Sequence, residues 1–331
     1  MNASTTSVEI SVVVPVYREA DNVAPLCRRL LPVLDAITPS FEVLFVNDGS
    51  TDATLAAIRR ENADDARVLA ISFSRNFGKE IAIAAGLDHA RGRAVVIMDA
   101  DLQHPPEAIA QFVERWREGH VMVYGQRTDR RGESRMKRGL THLFYRMFAR
   151  FGETELPEGA GDFRLIDRRG VEVLRALGER ARFSKGLYAW IGFPSVGVPF
   201  EVEDRLHGAT KWSFRKLFRF AFDGITSFST VPLRVWTYLG IAVSLLSIAT
   251  ALFFALRTLF FGSDVPGYPS LIVSVMFFSG VQLMSLGMIG EYVGRIFAEV
   301  KRRPLYIVAE TVGRRTGELP AIRDERRAAL P

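Results

Sequence analysis

The chain has few cysteines and lacks the motifs of several common protein classes. Cys27 is the single cysteine among 331 residues, so the chain has neither an intrachain disulfide nor a CxxC metal site. A GxGxxG fingerprint and a P-loop lysine are both absent, which argues against dinucleotide enzymes and P-loop ATPases. Zinc-finger spacing and ribonucleoprotein motifs are absent too, so nucleic acid is the weaker explanation of the net charge of +6. An anionic membrane surface or a phosphate-bearing substrate explains that charge better.

Charge is scarce in two long stretches near the end of the chain. Leu233–Leu256 carries only Arg234, and Ser270–Met288 carries no charge. Each is about the roughly 20 residues needed to cross a bilayer, and the alternative is a buried hairpin of a soluble protein. We predict two transmembrane helices, with the basic flank after Arg295 and both termini in the cytosol. The short polar start of the chain predicts no signal peptide.

Apolar runs alternate with helical patterns over the first hundred residues. The alternation predicts a nucleotide-binding α/β sheet, with ligands at the carboxyl ends of its strands. Asp48 directly follows the second strand and is therefore a candidate binding residue. Gly49 allows a tight turn there, and a polar residue of the following segment 50–52 caps the next helix. The predicted strands are Ile10–Tyr17, Phe41–Val46, Val68–Phe73 and Val95–Met98.

Two carboxylates and an amide follow the fourth strand. In an extended chain Asp99, Asp101 and Gln103 would share one face, because alternate side chains point the same way. Oxygen ligands of this kind suit Mg²⁺ or Mn²⁺, which complete their shells with water and substrate phosphates. A solvated turn rich in aspartate is the alternative for such a motif taken alone.

Basic residues gather in two later segments. The run from Arg127 to Arg138 leads into an aromatic helix, and the stretch Phe214–Phe222 is basic and amphipathic. Both are typical of a membrane-surface segment, and a solvated face is the alternative. The predicted organisation is a cytosolic domain over residues 1–210, a membrane-surface segment over 211–231, two transmembrane helices over 232–294 and a basic cytosolic tail over 295–331.

Several motifs together resemble one family. The chain is similar to the polyprenyl-phosphate glycosyltransferases of glycosyltransferase family 2, in the branch of the bactoprenol glucosyl transferases. Dolichyl-phosphate mannose synthases and 4-deoxy-4-formamidoarabinose transferases are more distant relatives. The motifs stand in order along most of the chain: Val13-Val-Pro-Val-Tyr-Arg-Glu19, Val46-Asn-Asp-Gly-Ser-Thr-Asp52, Ser74-Arg-Asn-Phe-Gly-Lys79, Asp99-Ala-Asp-Leu-Gln103, Gly161-Asp-Phe-Arg164, Phe228-Ser-Thr-Val-Pro-Leu-Arg234 and Gly290-Glu-Tyr-Val-Gly-Arg295.

The resemblance implies a GT-A type fold, a divalent cation and a set of site residues. Asp99, Asp101 and Gln103 would hold Mg²⁺ or Mn²⁺, with Asp101 acting in catalysis. Asn47 departs from the pattern, since many relatives have a second acid there, and only Asp48 is carried over. The residues implied for the nucleotide sugar are Pro15, Tyr17, Glu19, Asp48, Lys79, Asp99, Arg205 and Lys211.

The implied acceptor is a polyprenyl phosphate, which is already an anion and needs little deprotonation. Asp162 matches the position usually proposed as the base; it would orient the acceptor phosphate or accept a residual proton, and a cap of a helix or turn is its structural alternative. Arg127, Arg131 and Arg135 are candidates to bind the lipid phosphate. Direct attack of the phosphate on the anomeric carbon would invert configuration, and glucose from a UDP-sugar is the first expectation. N-acetylglucosamine, mannose from GDP-mannose or an aminoarabinose derivative remain alternatives as the sugar, and relatives imply a possible homo-tetramer.

Two other functions fit parts of the sequence. A processive polysaccharide synthase also joins a GT-A domain to membrane helices, but its Gln-x-x-Arg-Trp motif is absent. Gln111-Phe-Val-Glu-Arg-Trp116 has one residue too many, and we interpret it as an amphipathic helix. A non-catalytic membrane scaffold that binds nucleotide is the second possibility, and the intact Asp99, Asp101 and Gln103 argue against it.

Overall fold

The fold is a three-layer α/β/α sandwich followed by two long helices. In the computed structural model the described residues are 8–128, 160–180, 182, 184–203, 231–261 and 267–313. Eight strands of these residues form one mixed sheet in the order β7-β5-β6-β4-β1-β2-β3-β8. The strands are β1 (Ile10–Val16), β2 (Phe41–Asn47), β3 (Val68–Phe73), β4 (Ala94–Ile97), β5 (Met122–Arg127), β6 (Ala160–Asp167), β7 (Ser195–Phe200) and β8 (Val308–Val312).

The centre of the sheet is parallel and fully buried. β1 pairs in parallel with both β2 and β4, while β6 runs antiparallel to β4 and to β5. Every residue of β2 is buried, which is why these strands appear as continuous apolar runs instead of an alternating pattern. β2 and β3 lie on one side of β1 in the sheet, and β4 lies on the other side. The strand order therefore reverses at β1, and such a point forms a crevice at the carboxyl ends of the strands.

Helices cover both faces of the sheet. Leu26, Ile58 and Phe112 belong to one buried apolar cluster, and Ile83, Leu174 and Leu187 belong to a second one. The first cluster packs helices α1, α2 and α4 on one face, and the second packs α3, α5 and α6 on the other. The six helices are α1 (Ala20–Ile37), α2 (Thr54–Asp64), α3 (Lys79–His89), α4 (Ala108–Arg117), α5 (Arg168–Ala176) and α6 (Ser184–Trp190).

The predicted α/β alternation is confirmed, with two local corrections. The chain does not stay extended from Asp99 to Gln103, because β4 ends at Ile97 and a turn follows. Leu102 has a φ of +59° and is buried, and the backbone N of Gln103 donates to Asp101 Oδ1 at 3.2 Å. The N-cap of α2 is Ala53 and not one of residues 50–52, although Asp52 accepts a bond from Thr54 N at 3.2 Å.

The two predicted transmembrane segments correspond to long helices, α7 (Val231–Phe261) and α8 (Tyr268–Val300). Large apolar side chains are exposed on both, among them Leu245, Leu246, Phe277 and Leu283. Across the described part of the chain, no helix combines the length and the apolar character that a membrane crossing requires. The prediction of two transmembrane helices therefore has no support from the structure.

Candidate active site

Polar side chains from four elements meet at the crevice beside β1. Asp48 follows β2, Asp99 follows β4, Lys79 is the first residue of α3, and Asp162 lies near the start of β6. β6 runs antiparallel to β4 and pairs Arg164 with Ile97, so Asp162 lies beyond the end of β4. A residue 63 positions away from Asp99 is thereby brought to the same edge of the sheet.

Lys79 joins two of these carboxylates. Its Nζ lies 2.6 Å from Oδ1 and 2.9 Å from Oδ2 of Asp99, and 3.0 Å from Oδ2 of Asp162. One ammonium group thus neutralises two acids that would otherwise repel each other. Lys79 was predicted to bind the nucleotide sugar, and its observed partners place it between the predicted metal ligand and the predicted acceptor residue.

Lys79 and the two aspartates, Asp99 and Asp162, shift each other's pKa values so that all three groups stay charged. Burial alone would lower the pKa of Lys79, but Asp99 and Asp162 outweigh burial and raise it. Burial would raise the pKa of Asp162, yet Lys79 and Lys185 hold it well below the usual range of a carboxyl. Lys79 likewise lowers the pKa of Asp99 against the effect of burial. Both aspartates are therefore ionised at neutral pH.

His104 fixes the backbone of Asp99. Its Nδ1 accepts a hydrogen bond from the Asp99 N at 3.2 Å, and its ring stacks on Phe163 at 4.8 Å between centroids. Burial lowers the pKa of His104, which agrees with a neutral imidazole whose Nδ1 is an acceptor. Sequence reasoning missed this residue, because its function depends on a contact with the backbone five residues earlier.

The donor groups after β4 fit a divalent cation by their chemistry. Asp99 and Asp101 are both partly accessible, and a metal ion would share the Asp99 carboxylate with the ammonium of Lys79, which contacts both of its oxygens. No group of three or more His, Cys, Asp or Glu side chains within the described ranges is arranged to hold a metal ion. A bound cation would accordingly take two carboxylates, with Gln103, water and substrate phosphate oxygens completing its shell.

Asp48 holds the loop before α3. Its carboxylate accepts hydrogen bonds from the backbone N of Phe77 at 2.6 Å and of Gly78 at 2.9 Å. Burial raises the pKa of Asp48, while these two amides act in the opposite direction. Gly49 has a φ of +64°, and a Cβ there would lie 2.3 Å from the backbone carbon of Arg75. The predicted tight turn is confirmed, and it lets the loop pack directly on the end of β2.

Pro15, Tyr17 and Glu19 lie at the end of β1, on the other wall of the crevice, and all three are partly exposed. Glu19 accepts from Asn22 Nδ2 at 2.5 Å, and its backbone N donates to Thr54 Oγ1 at 3.0 Å. These contacts hold the end of β1 against the start of α2. Arg127 ends β5 and is exposed. The predicted residues Arg131, Arg135, Arg205 and Lys211 lie outside the described residues.

Two further groups lie behind Asp162. Glu80 Oε2 accepts from the backbone N of Ser184 at 3.0 Å and also from its hydroxyl, which fixes the start of α6 beside α3. Arg164 is buried, donates to the Gly161 carbonyl at 2.6 Å and lies 3.7 Å from the centroid of the Tyr188 ring. Neither Glu80 nor Ser184 was a candidate from the sequence, because no local motif shows that the start of α3 contacts the start of α6.

The interpretation of Gln111–Trp116 as an amphipathic helix is confirmed. Trp116 lies on α4, is buried, and donates from Nε1 to Asp167 Oδ2 at 2.7 Å. A buried tryptophan bonded to the end of β6 is a structural anchor of the helix. The structure thus gives it no place in the crevice.

The sequence of the chain identifies its family. Residues 11–175 match the model of glycosyl transferase family 2, a range that begins in β1 and ends in α5. A glycosyltransferase of Synechocystis sp. is 49% identical over 307 residues, which cover 93% of this chain and 96% of that protein. The chain belongs to glycosyl transferase family 2, and it is a glycosyltransferase with the GT-A type fold.

Relatives with a more specific name match this chain over nearly their whole length. The bactoprenol glucosyl transferase of Shigella phage SfII is 43% identical over 304 residues, which cover 92% of this chain and 98% of that protein. A mannosyltransferase structure from Pyrobaculum calidifontis, in complex with GDP-Man and Mn²⁺, covers 89% of this chain at 18% identity and a TM-score of 0.47. That structural similarity is too low to carry an inference, whereas the sequence similarity is consistent with a polyprenyl-phosphate glycosyltransferase.

Proposed function

We propose that this glycosyltransferase moves a hexose, glucose in the first instance, from a UDP-sugar to a polyprenyl phosphate such as undecaprenyl phosphate. The observation that carries the proposal is the meeting of Asp99 and Asp162 on the ammonium of Lys79. It brings a cation-binding carboxylate and a second, separately held carboxylate to the same crevice. The similarity to bactoprenol glucosyl transferases, which by name transfer a glucosyl group to bactoprenol, supports the choice of a polyprenyl acceptor.

The donor half of the reaction needs stabilisation of a leaving nucleoside diphosphate. Asp99 and Asp101, with Gln103, would hold a Mg²⁺ or Mn²⁺ ion, which when bound acts as a Lewis acid on the diphosphate oxygens. Pro15, Tyr17 and Glu19 would bind the nucleotide on the opposite wall. Lys79 keeps the Asp99 carboxylate ionised and in place.

The acceptor half needs a phosphate oxygen aligned with the anomeric carbon. That oxygen forms the new C–O bond while the bond to the diphosphate breaks, so an α-linked donor gives a β-linked product. The low pKa of Asp162 favours the orienting role over that of a general base, because a carboxylate of this kind takes up a proton poorly at neutral pH. Arg127, at the exposed end of β5, would contribute charge to the acceptor phosphate.

A lipid acceptor requires access to a membrane. The exposed apolar side chains of α7 and α8 would contact lipid, with the sheet domain on the cytosolic side of a bacterial inner membrane. A possible homo-tetramer is proposed from the resemblance to relatives. The contact with lipid, the cytosolic side of the membrane and the tetramer are all part of the proposal.

The experiment is transfer onto undecaprenyl phosphate in detergent, with UDP-hexoses and GDP-mannose offered separately, each with Mn²⁺ and with a chelator. We expect one UDP-hexose to give a metal-dependent lipid product. The test variant is Asp101→Ala, and the control variant is Asp35→Asn. Asp35 is an exposed carboxylate that pairs with Arg67 on the surface. Asp101→Ala should lose at least about 100-fold in kcat, and Asp35→Asn should retain wild-type activity.

Three results would contradict the proposal. Unchanged transfer by folded Asp101→Ala would refute the metal assignment. Nucleotide binding without a product from any donor would favour the non-catalytic scaffold or a different acceptor. A polymeric product in place of a lipid-linked monosaccharide would favour the processive synthase.

A further inference from the structure

The chain returns to the sheet after α8. β8 pairs antiparallel with β3, matching Val312 with Ala70 and Val308 with Phe73. Beyond that ladder, the backbone N of Ser74 donates to the carbonyl of Ile307 at 3.0 Å. β8 and the residue before it therefore lie at the end of β3 where the loop of residues 74–78 begins.

Tyr306 contacts both elements that flank this loop. Its ring stacks on Phe73, the last residue of β3, with 5.1 Å between centroids and 22° between planes. Its hydroxyl donates to Asp88 Oδ2 at 3.1 Å and lies 3.2 Å from His89 Nε2. Asp88 and His89 are the last two residues of α3. A single side chain thus connects the strand before the loop to the helix after it.

The loop between these contacts carries the groups of the crevice. Its Phe77 and Gly78 amides bind Asp48, and Lys79 follows immediately as the first residue of α3. Phe77 also packs edge-on against Phe73 at 5.6 Å. A shift of β3 relative to α3 would therefore move the ammonium of Lys79 relative to Asp99 and Asp162.

We propose that Tyr306 is a positioning residue, which holds β3 and α3 together and so places Lys79 between Asp99 and Asp162. Tyr306 follows the end of α8 by six residues, and near that end Glu299 Oε1 accepts from the backbone N of Arg180 at 2.7 Å. The segment between Glu299 and Val312 thereby connects the long helices to the loop of the active site. The expected effect of Tyr306 on turnover rests on the proposed function, whereas its effect on the position of the loop does not.

A purely structural role makes a different prediction. If β8 only covered the open edge of β3, loss of the Tyr306 ring would lower stability and leave the turnover of each folded molecule unchanged. If Tyr306 positions Lys79, turnover falls while donor binding on the opposite wall of the crevice is retained. Misplacement of a reacting group by about 1 Å can cost up to roughly 100-fold in rate.

The experiment compares the full-length wild type with Tyr306→Ala, Tyr306→Phe and the control Glu310→Gln. Glu310 lies on β8 and pairs with Arg59 at the surface, away from the loop. For Tyr306→Ala we expect kcat to fall about tenfold, with the KM for the donor within about twofold. Tyr306→Phe keeps the ring stacked on Phe73 and loses the hydrogen bond to Asp88, so its kcat should lie between those of the wild type and Tyr306→Ala. Glu310→Gln should match the wild type.

Amide hydrogen exchange supplies a readout that needs no substrate. In Tyr306→Ala the peptide covering residues 73–80 should exchange at least about tenfold faster, while peptides of β1 and α1 should be unchanged. If Tyr306→Ala does not fold, Tyr306→Leu takes its place with the same expectations. Unchanged exchange at 73–80, or a wild-type kcat per folded molecule, would overturn the proposal.

The two readouts separate this inference from the proposed function. If the wild type transfers no sugar to the lipid, the proposed function fails and the exchange measurement still decides whether Tyr306 holds the loop. If the wild type is active and the Tyr306 variants match it in kcat and exchange, only the positioning role is wrong.

Discussion

At the scale of single residues, Lys79 is the centre of the site. Its ammonium contacts Asp99 and Asp162, which belong to strands on either side of the β4–β6 pairing. Because both carboxylates share one cation, a change in either acid alters the charge felt by the other. We therefore expect the two aspartates to be coupled in catalysis, so that their single substitutions are not additive.

Substitution of Asp162 by asparagine tests the orienting role. Asp162→Asn keeps the shape of the side chain and removes its charge, so kcat should fall at least about 100-fold while the KM for the donor changes little. Because the pKa of Asp162 is held well below its usual range, its charge is constant from pH 5 to 8. The pH–rate profile of the variant should accordingly keep the shape of the wild-type profile at a lower level. Loss of an acid limb in the variant would instead identify Asp162 as a base.

At the scale of elements, one arginine connects three parts of the fold. Arg29 on α1 binds Glu107 before α4 at 2.7 Å and Glu203 after β7 at 2.6 Å. Hydrogen bonds from Arg29 lower the pKa of both glutamates. All three side chains are about a third exposed or more, so the stabilisation is screened by solvent and amounts to about 1 kcal/mol or less.

The pH dependence of this network has a definite sign. A carboxyl with a lowered pKa in the folded state contributes stability above its unfolded pKa of about 4.3 and loses it as pH falls through the folded pKa. Arg29→Met should lower the melting temperature by about 1–2 °C at pH 7, and this difference should shrink as pH falls below about 4. The neighbouring Arg28→Met is the control, since Arg28 donates to the Ala24 carbonyl of its own helix at 3.4 Å and pairs with neither Glu107 nor Glu203. A difference between Arg29→Met and wild type that stays the same size from pH 7 down to pH 3 would contradict the ion-pair explanation.

At the scale of the whole molecule, the sheet domain and the two long helices differ in surface. The sheet domain buries its large apolar side chains in two clusters, whereas α7 and α8 expose theirs. Exposed apolar surface of this extent needs a partner, and the proposed function assigns that partner to lipid.

Cell fractionation tests this assignment. We expect the full chain to sediment with membranes and to be released by detergent. Residues 1–203 alone should not be taken as the control, because β8 completes the sheet. The matched variant replaces Leu245 and Leu246 by lysine, and charge on the exposed face of α7 should weaken membrane association without changing nucleotide binding. Recovery of the wild type in the supernatant without detergent would refute the contact with lipid.

The sequence by itself determined the α/β class, the positions of the first four strands along the chain and the polar residues that follow two of them. It could do so because buried parallel strands are continuous apolar runs and because ligands bind at their carboxyl ends, which makes Asp48, Asp99 and Asp101 recognisable from local pattern. The family motifs added Lys79 and Asp162 as candidates. The extended conformation expected from Asp99 to Gln103 was wrong, because burial of Leu102 and a turn bonded to Asp101 outweighed the alternation of a strand.

Only the tertiary structure decided which of these groups touch. The contacts of Lys79 with Asp162, of Glu80 with Ser184 and of Tyr306 with Asp88 join residues 83, 104 and 218 positions apart. No local pattern encodes such pairs, because they follow from the antiparallel insertion of β6 beside β4 and from the return of β8 to β3. Long-range pairing of strands, set by the packing of both faces of the sheet, turns separate motifs into one site.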